Sequence, residues 1–193
     1  MNDTTRRPPR IVLGVTGSIA AYKACEIVRG CVRRGWEVRV AMTPAAAQFV
    51  TPLTFQTLSR NPVGLDEFAP PAAWEPAHIG LAEWADVFVV APCTANTLAK
   101  LAHGFAGDLL SSSALATRAP RLLAPAMNTG MWDNAATQEN IRLLRARGDT
   151  ILEPGSGELA CGTVGRGRMP EPEAVLDAIG AALGRIAGGD VTP

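Results

Sequence analysis

Net charge of either sign is missing. Lys and Arg number 18 against 18 Asp and Glu, so no global field draws the chain to nucleic acid or to an anionic lipid surface. Histidine is scarce, with only His78 and His103. The four cysteines (Cys25, Cys31, Cys93, Cys161) show neither CxxC spacing nor a paired framework. Structural zinc and a disulfide scaffold are therefore disfavoured, no metal is expected, and a reduced, cytoplasmic setting is the expectation. No run approaches the roughly 20 apolar residues of a membrane span. The first ten residues are polar and rich in Pro and Arg, with no apolar stretch of signal-peptide kind after them. Neither a membrane nor a nucleic acid is expected as a partner. Aromatics are sparse at 5% while Ala and Gly are plentiful, which suits close packing of helices on a sheet.

What is present fits one globular domain. The chain has 193 residues, 47% of them hydrophobic and 19% charged, enough apolar mass for a real core. Residues 10–15 form a short apolar run that ends in Gly-Val-Thr-Gly-Ser and leads into a helical pattern over 19–34. Gly35 stops that helix, and 36–42 alternate as a second strand. Thr43-Pro44 predicts the start of another helix, with proline near the first turn. Residues 85–92 read as a buried strand cut off by proline, 94–102 as a helix, and 121–125 as a second strand-then-proline unit. Residues 137–147 are helical and capped by Gly148, 150–152 are a last short strand, and 172–186 close as an amphipathic helix.

Strands and helices alternating in this way predict an α/β fold: a doubly wound parallel sheet of Rossmann or flavodoxin-like kind. The expected organisation is a flexible arm at 1–9, a domain at 10–186 and a frayed tail at 187–193. The segment 153–172 carries five glycines and three prolines, and a loop of that length reads as a flap over a site.

Ligands of open α/β sheets bind beyond the carboxyl ends of the strands. Four strand-end clusters stand out, at 14–19, 42–44, 92–97 and 125–132. They bring Thr16, Ser18, Thr43, Thr94, Asn96, Thr97 and Asn128, groups suited to phosphate or a polar ring. The glycine turn at 14–18 is not the GxGxxG fingerprint, and no acidic residue closes the second strand to hold a ribose. This counts against a nicotinamide dinucleotide. A glycine turn feeding a helix N-terminus is still an anion site, and with its neighbours it points to a mononucleotide.

The motifs then carry a resemblance. Pro92-Cys93-Thr94-Ala95-Asn96-Thr97 resembles the Pro-Ala-Ser-Ala-Asn-Thr motif of the flavin-containing cysteine decarboxylases. Pro125-Ala126-Met127-Asn128-Thr129-Gly130-Met131-Trp132 is similar to their Pro-x-Met-Asn-x-x-Met-Trp motif. The stretch from Ala160-Cys161-Gly162 to Arg168-Met169 resembles the flap of phosphopantothenoylcysteine decarboxylase, and His78 sits where that family keeps an active-site histidine. Cys93-Thr94 departs from the usual Ala-Ser, although Thr94 keeps the hydroxyl.

The resemblance implies FMN held by Gly17, Ser18, Ile19, Thr43, Cys93, Thr94, Asn96 and Thr97. It implies His78, Asn128 and Cys161 as catalytic residues, and Asn128, Met127 and Arg168 at the substrate. The chemistry is coherent. Loss of CO2 from cysteine needs an electron sink, which oxidation of the CH2–SH group to a thioaldehyde creates, and a flavin can take the hydride. The resemblance also implies a homo-oligomer, a trimer and up to a dodecamer, with the flavin site at the subunit boundary.

Two substrates fit. The flap cysteine favours 4′-phosphopantothenoylcysteine, converted to 4′-phosphopantetheine for coenzyme A. Many bacterial versions of that enzyme are fused to a synthase domain, and a free-standing chain instead suggests oxidative decarboxylation of the C-terminal cysteine of a ribosomally made peptide to an enethiol. A non-catalytic regulatory flavoprotein is a remoter reading, which predicts eroded catalytic positions. A flavin prenyltransferase is disfavoured by the Met-Asn and Cys-Gly motifs. Plainer roles stand beside these: His78 as a surface histidine, Asn128 as a cap, Met127 and Met131 as core filler, Cys161 as an incidental thiol, and Cys93 as no more than pocket lining.

Overall fold

A computed structural model describes residues 7–68, 76–158, 162 and 164–189. Six strands form one parallel sheet: β1 (Arg10–Val15), β2 (Glu37–Met42), β3 (Val63–Gly64), β4 (Val87–Cys93), β5 (Arg121–Pro125) and β6 (Thr150–Ile151). Their order is β3-β2-β1-β4-β5-β6. The chain starts at the centre, winds outward to one edge, then returns beside β1 and winds to the other. The doubly wound expectation is met, and the switch point lies between β1 and β4, where such sheets open a crevice.

Strand periodicity sorts the core into two layers. Ile11, Leu13 and Val15, with Val87, Val89 and Ala91, face α1 (Ala21–Arg33), α2 (Pro52–Ser59) and α8 (Pro172–Gly188). Val12, Phe88 and Val90 face the other layer, built on α4 (Ala95–His103), α5 (Leu109–Ala116) and α7 (Ala135–Ala146). With both faces covered, β4 is buried along its whole length, which is why it reads as a continuous apolar run rather than an alternation. At the sheet's amino end Arg121 grips Asp149 through two hydrogen bonds of 2.6 and 2.8 Å. There Trp84 also lies under the guanidinium groups of Arg10 and Arg39, 5.5 and 4.4 Å from its ring centre.

Several expectations are corrected. No helix starts at Thr43-Pro44. The Thr43 carbonyl and hydroxyl both accept from the Ala46 N–H at 2.9 and 3.2 Å, turning the chain into one tight turn at Ala46–Gln48, and the helix waits for Pro52 at its own first position. β4 is not ended by Pro92 but carries on to Cys93. The long glycine-rich segment contains an antiparallel hairpin, β7 (Gly155–Glu158) with β8 (Val164–Arg168). The arm is anchored from Arg7 onward, because Arg7 makes a two-pronged pair with Asp86. The closing helix runs on to Gly188 before Gly189 ends it, so 187 and 188 are not frayed. Helices α5 and α3 (Ala77–Trp84) had no counterpart in the sequence reading.

Candidate functional site

Beyond the carboxyl ends of β1, β2, β4 and β5 lies a cavity of about 1030 Å³, at the upper end of the range for small-molecule sites, about 300–1,000 Å³. Its walls are the strand-end loops, closed on one side by the root of the β7–β8 hairpin.

The first wall is the glycine turn. Ser18 accepts from the Ala20 N–H at 3.2 Å, and the turn closes as the Ser18 N–H donates to the Thr16 carbonyl at 2.9 Å. Helix α1 then starts from Ala20, which supplies no side-chain cap, and its first turn holds no acidic residue. A helix start with no acidic residue presents the positive end of its dipole to the cavity, which favours an anion. Gly17 is required here by space, since a Cβ would stand 2.5 Å from the Cβ of Ala45 in the next strand-end loop.

The second wall follows β4. Thr94 caps α4, its side chain accepting from the Thr97 N–H, and the two hydroxyls meet at 3.1 Å. Asn96, Thr97 and Lys100 continue along the cavity on the same helix, and Lys100 is held at 2.7 Å by Asp108. Burial pushes the Asp108 carboxyl up, but hydrogen bonds from Lys100 and the Ser111 N–H outweigh it and hold the group below its ordinary range. Thr16 ties the first wall to the second. Its hydroxyl, 1% exposed, donates to the Pro92 carbonyl at 2.7 Å and accepts from the Thr94 N–H at 3.2 Å.

The third wall follows β5. Asn128 caps the short α6 (Thr129–Trp132), its Oδ1 accepting from the Gly130 N–H at 2.8 Å, so the plain capping role and a place on the cavity wall coexist. The hairpin is zipped to this loop. The Met127 N–H donates to the Gly167 carbonyl at 3.0 Å and the Thr129 hydroxyl to the Arg166 carbonyl at 2.8 Å. Gly167, at φ +131°, leaves only 2.2 Å between a would-be Cβ and the Met127 carbonyl oxygen. Arg168 comes next and lines the cavity. Lys23, buried in the first turn of α1, donates to Glu171 at 2.8 Å, and this ammonium holds the Glu171 carboxyl below its usual range.

Gly17, Ser18, Ile19, Thr43, Thr94, Asn96, Thr97, Met127, Asn128 and Arg168 thus converge on one cavity. Among the described residues its wall includes neither Cys93 nor His78. Cys93 is a correction. It is the last residue of β4, and its fully buried side chain packs into the core layer with Leu98 and Trp132, so the cavity begins one residue later. His78 lies on α3, 32% exposed, with Nδ1 3.3 Å from Glu67. Cys161 lies outside the described residues. Lys23, Lys100 and Asp108 were missed. Lys100 was within reach, because it falls four residues after Asn96 on one helical face.

The residues fit a phosphorylated flavin: an uncapped helix start behind a glycine turn for an anion, hydroxyl and amide groups along the strand ends, and apolar Ile19, Tyr22 and Met131 for a ring. The family model described as Flavoprotein matches residues 1–184. The chain belongs to the Flavoprotein family.

The chain is 49% identical over 169 residues, 88% of its length, to the coenzyme A biosynthesis bifunctional protein CoaBC of Haemophilus influenzae. It is 49% identical over 168 residues to the CoaBC protein of Escherichia coli. It spans about two fifths of the length of these curated relatives, 42% and 41% respectively. Among solved structures, a mutant PPC decarboxylase complexed with pantothenoylaminoethenethiol matches with a TM-score of 0.81 and 34% identity, over 90% of this chain and 97% of that one. The FMN-dependent cysteine decarboxylase SpaF matches at 0.76 and 32%, over 92% and 98%. The FMN binding protein AtHal3 matches at 0.78 and 33%, over 97% and 100%. No helix among the described residues is long and apolar enough to cross a membrane.

Proposed function

We propose that this chain is an FMN-dependent decarboxylase of a terminal cysteine carboxylate. Its best substrate on this reading is 4′-phosphopantothenoylcysteine, giving 4′-phosphopantetheine for coenzyme A biosynthesis. The observation that carries the reading is the convergence of the glycine turn, the Thr94–Thr97 hydroxyl pair and Asn128 on one cavity at the sheet's switch point. The likeness to CoaBC over 88% of the chain supports the substrate.

FMN, when bound, supplies the two-electron acceptor that lets a saturated cysteine acquire an electron sink. The α1 start with Gly17, Ser18 and Ile19, together with Thr43, Thr94, Asn96 and Thr97, holds it. Asn128, set by its own cap, offers the substrate carboxylate an amide rather than a cation, which would stabilise the carboxylate and oppose loss of CO2. Met127 flanks the substrate, and Cys161 returns a proton to the product.

His78 acts as acid and base from a neighbouring copy of the chain, since it stands off the cavity of its own. Ile19, Tyr22 and Met131 line the cavity, yet are 58%, 54% and 49% exposed. Such an apolar rim supports a homo-oligomer, a trimer or an assembly of trimers, whose subunit boundary covers the site. The free thiols Cys25, Cys31 and Cys93 fit a cytoplasmic place.

The likeness to SpaF favours a second reading, in which the substrate is a peptide ending in cysteine. The purified protein is expected to be yellow and to release FMN rather than FAD or riboflavin. Incubated with 4′-phosphopantothenoylcysteine and with a cysteine-terminated peptide, it is expected to remove CO2 alone from the first. A further loss of two hydrogens, on the peptide only, would establish the second reading. A protein that stays colourless after reconstitution with FMN refutes both.

A further inference from the structure

Glu67 lies just after β3, and its side chain is only 19% exposed. A carboxylate that leaves water needs a partner. Among the described residues no lysine or arginine is paired with it. Its partner is His78, whose Nδ1 lies 3.3 Å from Oε1. A local device brings the carboxylate there. The Asp66 side chain accepts from the Phe68 N–H at 2.9 Å, and this turn fixes the backbone of Glu67 between them. His78 stands in the first turn of α3, which has Pro76 ahead of it and no side-chain cap.

The helix that carries His78 is held by other contacts. The Ala82 carbonyl accepts from the Thr117 hydroxyl at 3.0 Å. Trp84 is clamped by Arg10 and Arg39, and Asp86 just beyond it takes the Arg7 guanidinium and the Arg10 N–H. These contacts fix the middle and the far end of α3, and none of them reaches the imidazole ring. What they leave open is the rotation of that ring and the choice of which nitrogen carries the proton. A carboxylate at Nδ1 decides both. It accepts from Nδ1–H, stops the ring turning over and leaves the lone pair on Nε2. Among the described residues Nε2 has no partner of its own, so it is open to a substrate proton. The contact at 3.3 Å is longer than a charge-assisted hydrogen bond of about 2.7–2.9 Å. Catalytic contacts of this kind tighten once the reacting groups arrive.

We propose that Glu67 is a positioning residue for His78, holding its Nδ1–H so that Nε2 takes the proton of the substrate thiol. This rests on the decarboxylase reading above, in which His78 is the acid and base. The S–H bond breaks, its electron pair stays on sulfur and the proton goes to Nε2. Glu67 touches neither substrate nor cofactor and acts only through the ring it orients. The turn at 66–68 and α3 belong to one copy of the chain, so the pair is already formed before a neighbouring copy brings its cavity to His78.

The test compares Glu67→Ala and Glu67→Gln with the wild type, all loaded with FMN, on 4′-phosphopantothenoylcysteine and on a cysteine-terminated peptide. It also reads the tautomer of His78. The chain has only two histidines, so NMR of isotope-labelled histidine shows His78 and His103 alone, and His103→Gln assigns them. In the wild type at alkaline pH, His78 is expected to carry its proton on Nδ1. Glu67→Ala is expected to move that proton to Nε2. It is also expected to lower kcat about tenfold while KM and FMN affinity change less than about threefold. Glu67→Gln, whose amide oxygen still accepts from Nδ1–H, is expected to keep the tautomer and to restore most of the lost rate. A Glu67→Ala variant that turns over at the wild-type rate, or whose His78 tautomer is unchanged, overturns the inference and leaves the decarboxylase reading standing. So does a fall in Tm with kcat unaltered in both variants, the mark of an ion pair that only steadies the start of α3. A wild type that releases CO2 from neither substrate removes the decarboxylase reading and the inference with it.

Discussion

Replacing Thr16 by valine tests how the cofactor walls are held together. The two side chains have nearly the same shape, so the change removes a hydroxyl without making a cavity. That hydroxyl is buried and donates to the Pro92 carbonyl at 2.7 Å while accepting from the Thr94 N–H at 3.2 Å. Each buried group left without a partner costs about 1–3 kcal/mol. The Pro92 side falls near the upper end, because that bond is short and buried. The Thr94 side falls near the lower end, because its bond is longer and only part-buried, open to partial replacement by water. The sum is about 2–4 kcal/mol, or about 5–15 °C in Tm for a chain of this size. The loss is also local. Thr94 is the α4 cap and stands beside Asn96 and Thr97, so slackening it loosens the grip on FMN, expected to be about tenfold weaker, which equals about 1.4 kcal/mol. Denaturant unfolding of the apoprotein and fluorescence titration with FMN measure the two effects, with Thr16→Ser, which keeps the hydroxyl, as control. A valine variant within about 0.5 kcal/mol of wild type and with undiminished FMN affinity refutes the strut.

Gly167→Ala is expected to loosen the hairpin from the Asn128 loop, since the new Cβ meets the Met127 carbonyl at 2.2 Å and φ is +131°. Turnover should fall at least tenfold while the FMN spectrum is retained, and unchanged turnover would show that the hairpin root plays no part. Burial pushes the Cys31 thiol up to about 12 and raises that of Cys93 further, so neither should be alkylated by iodoacetamide at pH 8 in the native protein, as peptide mass mapping would reveal. Asp108 has a folded pKa held below its ordinary 3.8. The stability it contributes is present above pH 3.8 and is lost as pH falls through the lower folded value. Asp108→Asn should therefore flatten that stretch of the acid unfolding curve, and an unaltered curve contradicts the Lys100 pairing.

The cavity wall is only partly legible in the sequence, and the boundary is a physical one. Cys93 and Thr94 are neighbours in one motif, yet the strand's two-residue period sends Cys93 into the core and leaves Thr94 to open the cavity. A motif carries no information about which of its members points where. Helices α3 and α5 escaped notice because Ala77–Trp84 and Leu109–Ala116 are short and apolar nearly all round. Without a clear polar face there is no periodicity to detect; α5 is buried over Leu109–Ala114, and α3, in which only Ala82 is buried, packs against it.

The linear order of residues determined the parallel sheet, the glycine turn at the α1 start and the polar strand ends, because each is a local pattern acting over a few residues. Contacts between positions far apart in the chain were decided by tertiary structure alone. Lys23 meets Glu171 across 148 positions and Thr16 meets Pro92 across 76, while His78, close in sequence to the motifs, ends on α3 away from the cavity. Such pairings depend on how the layers stack around the sheet. That stacking is set by the sum of the packing, and no single stretch of sequence carries it.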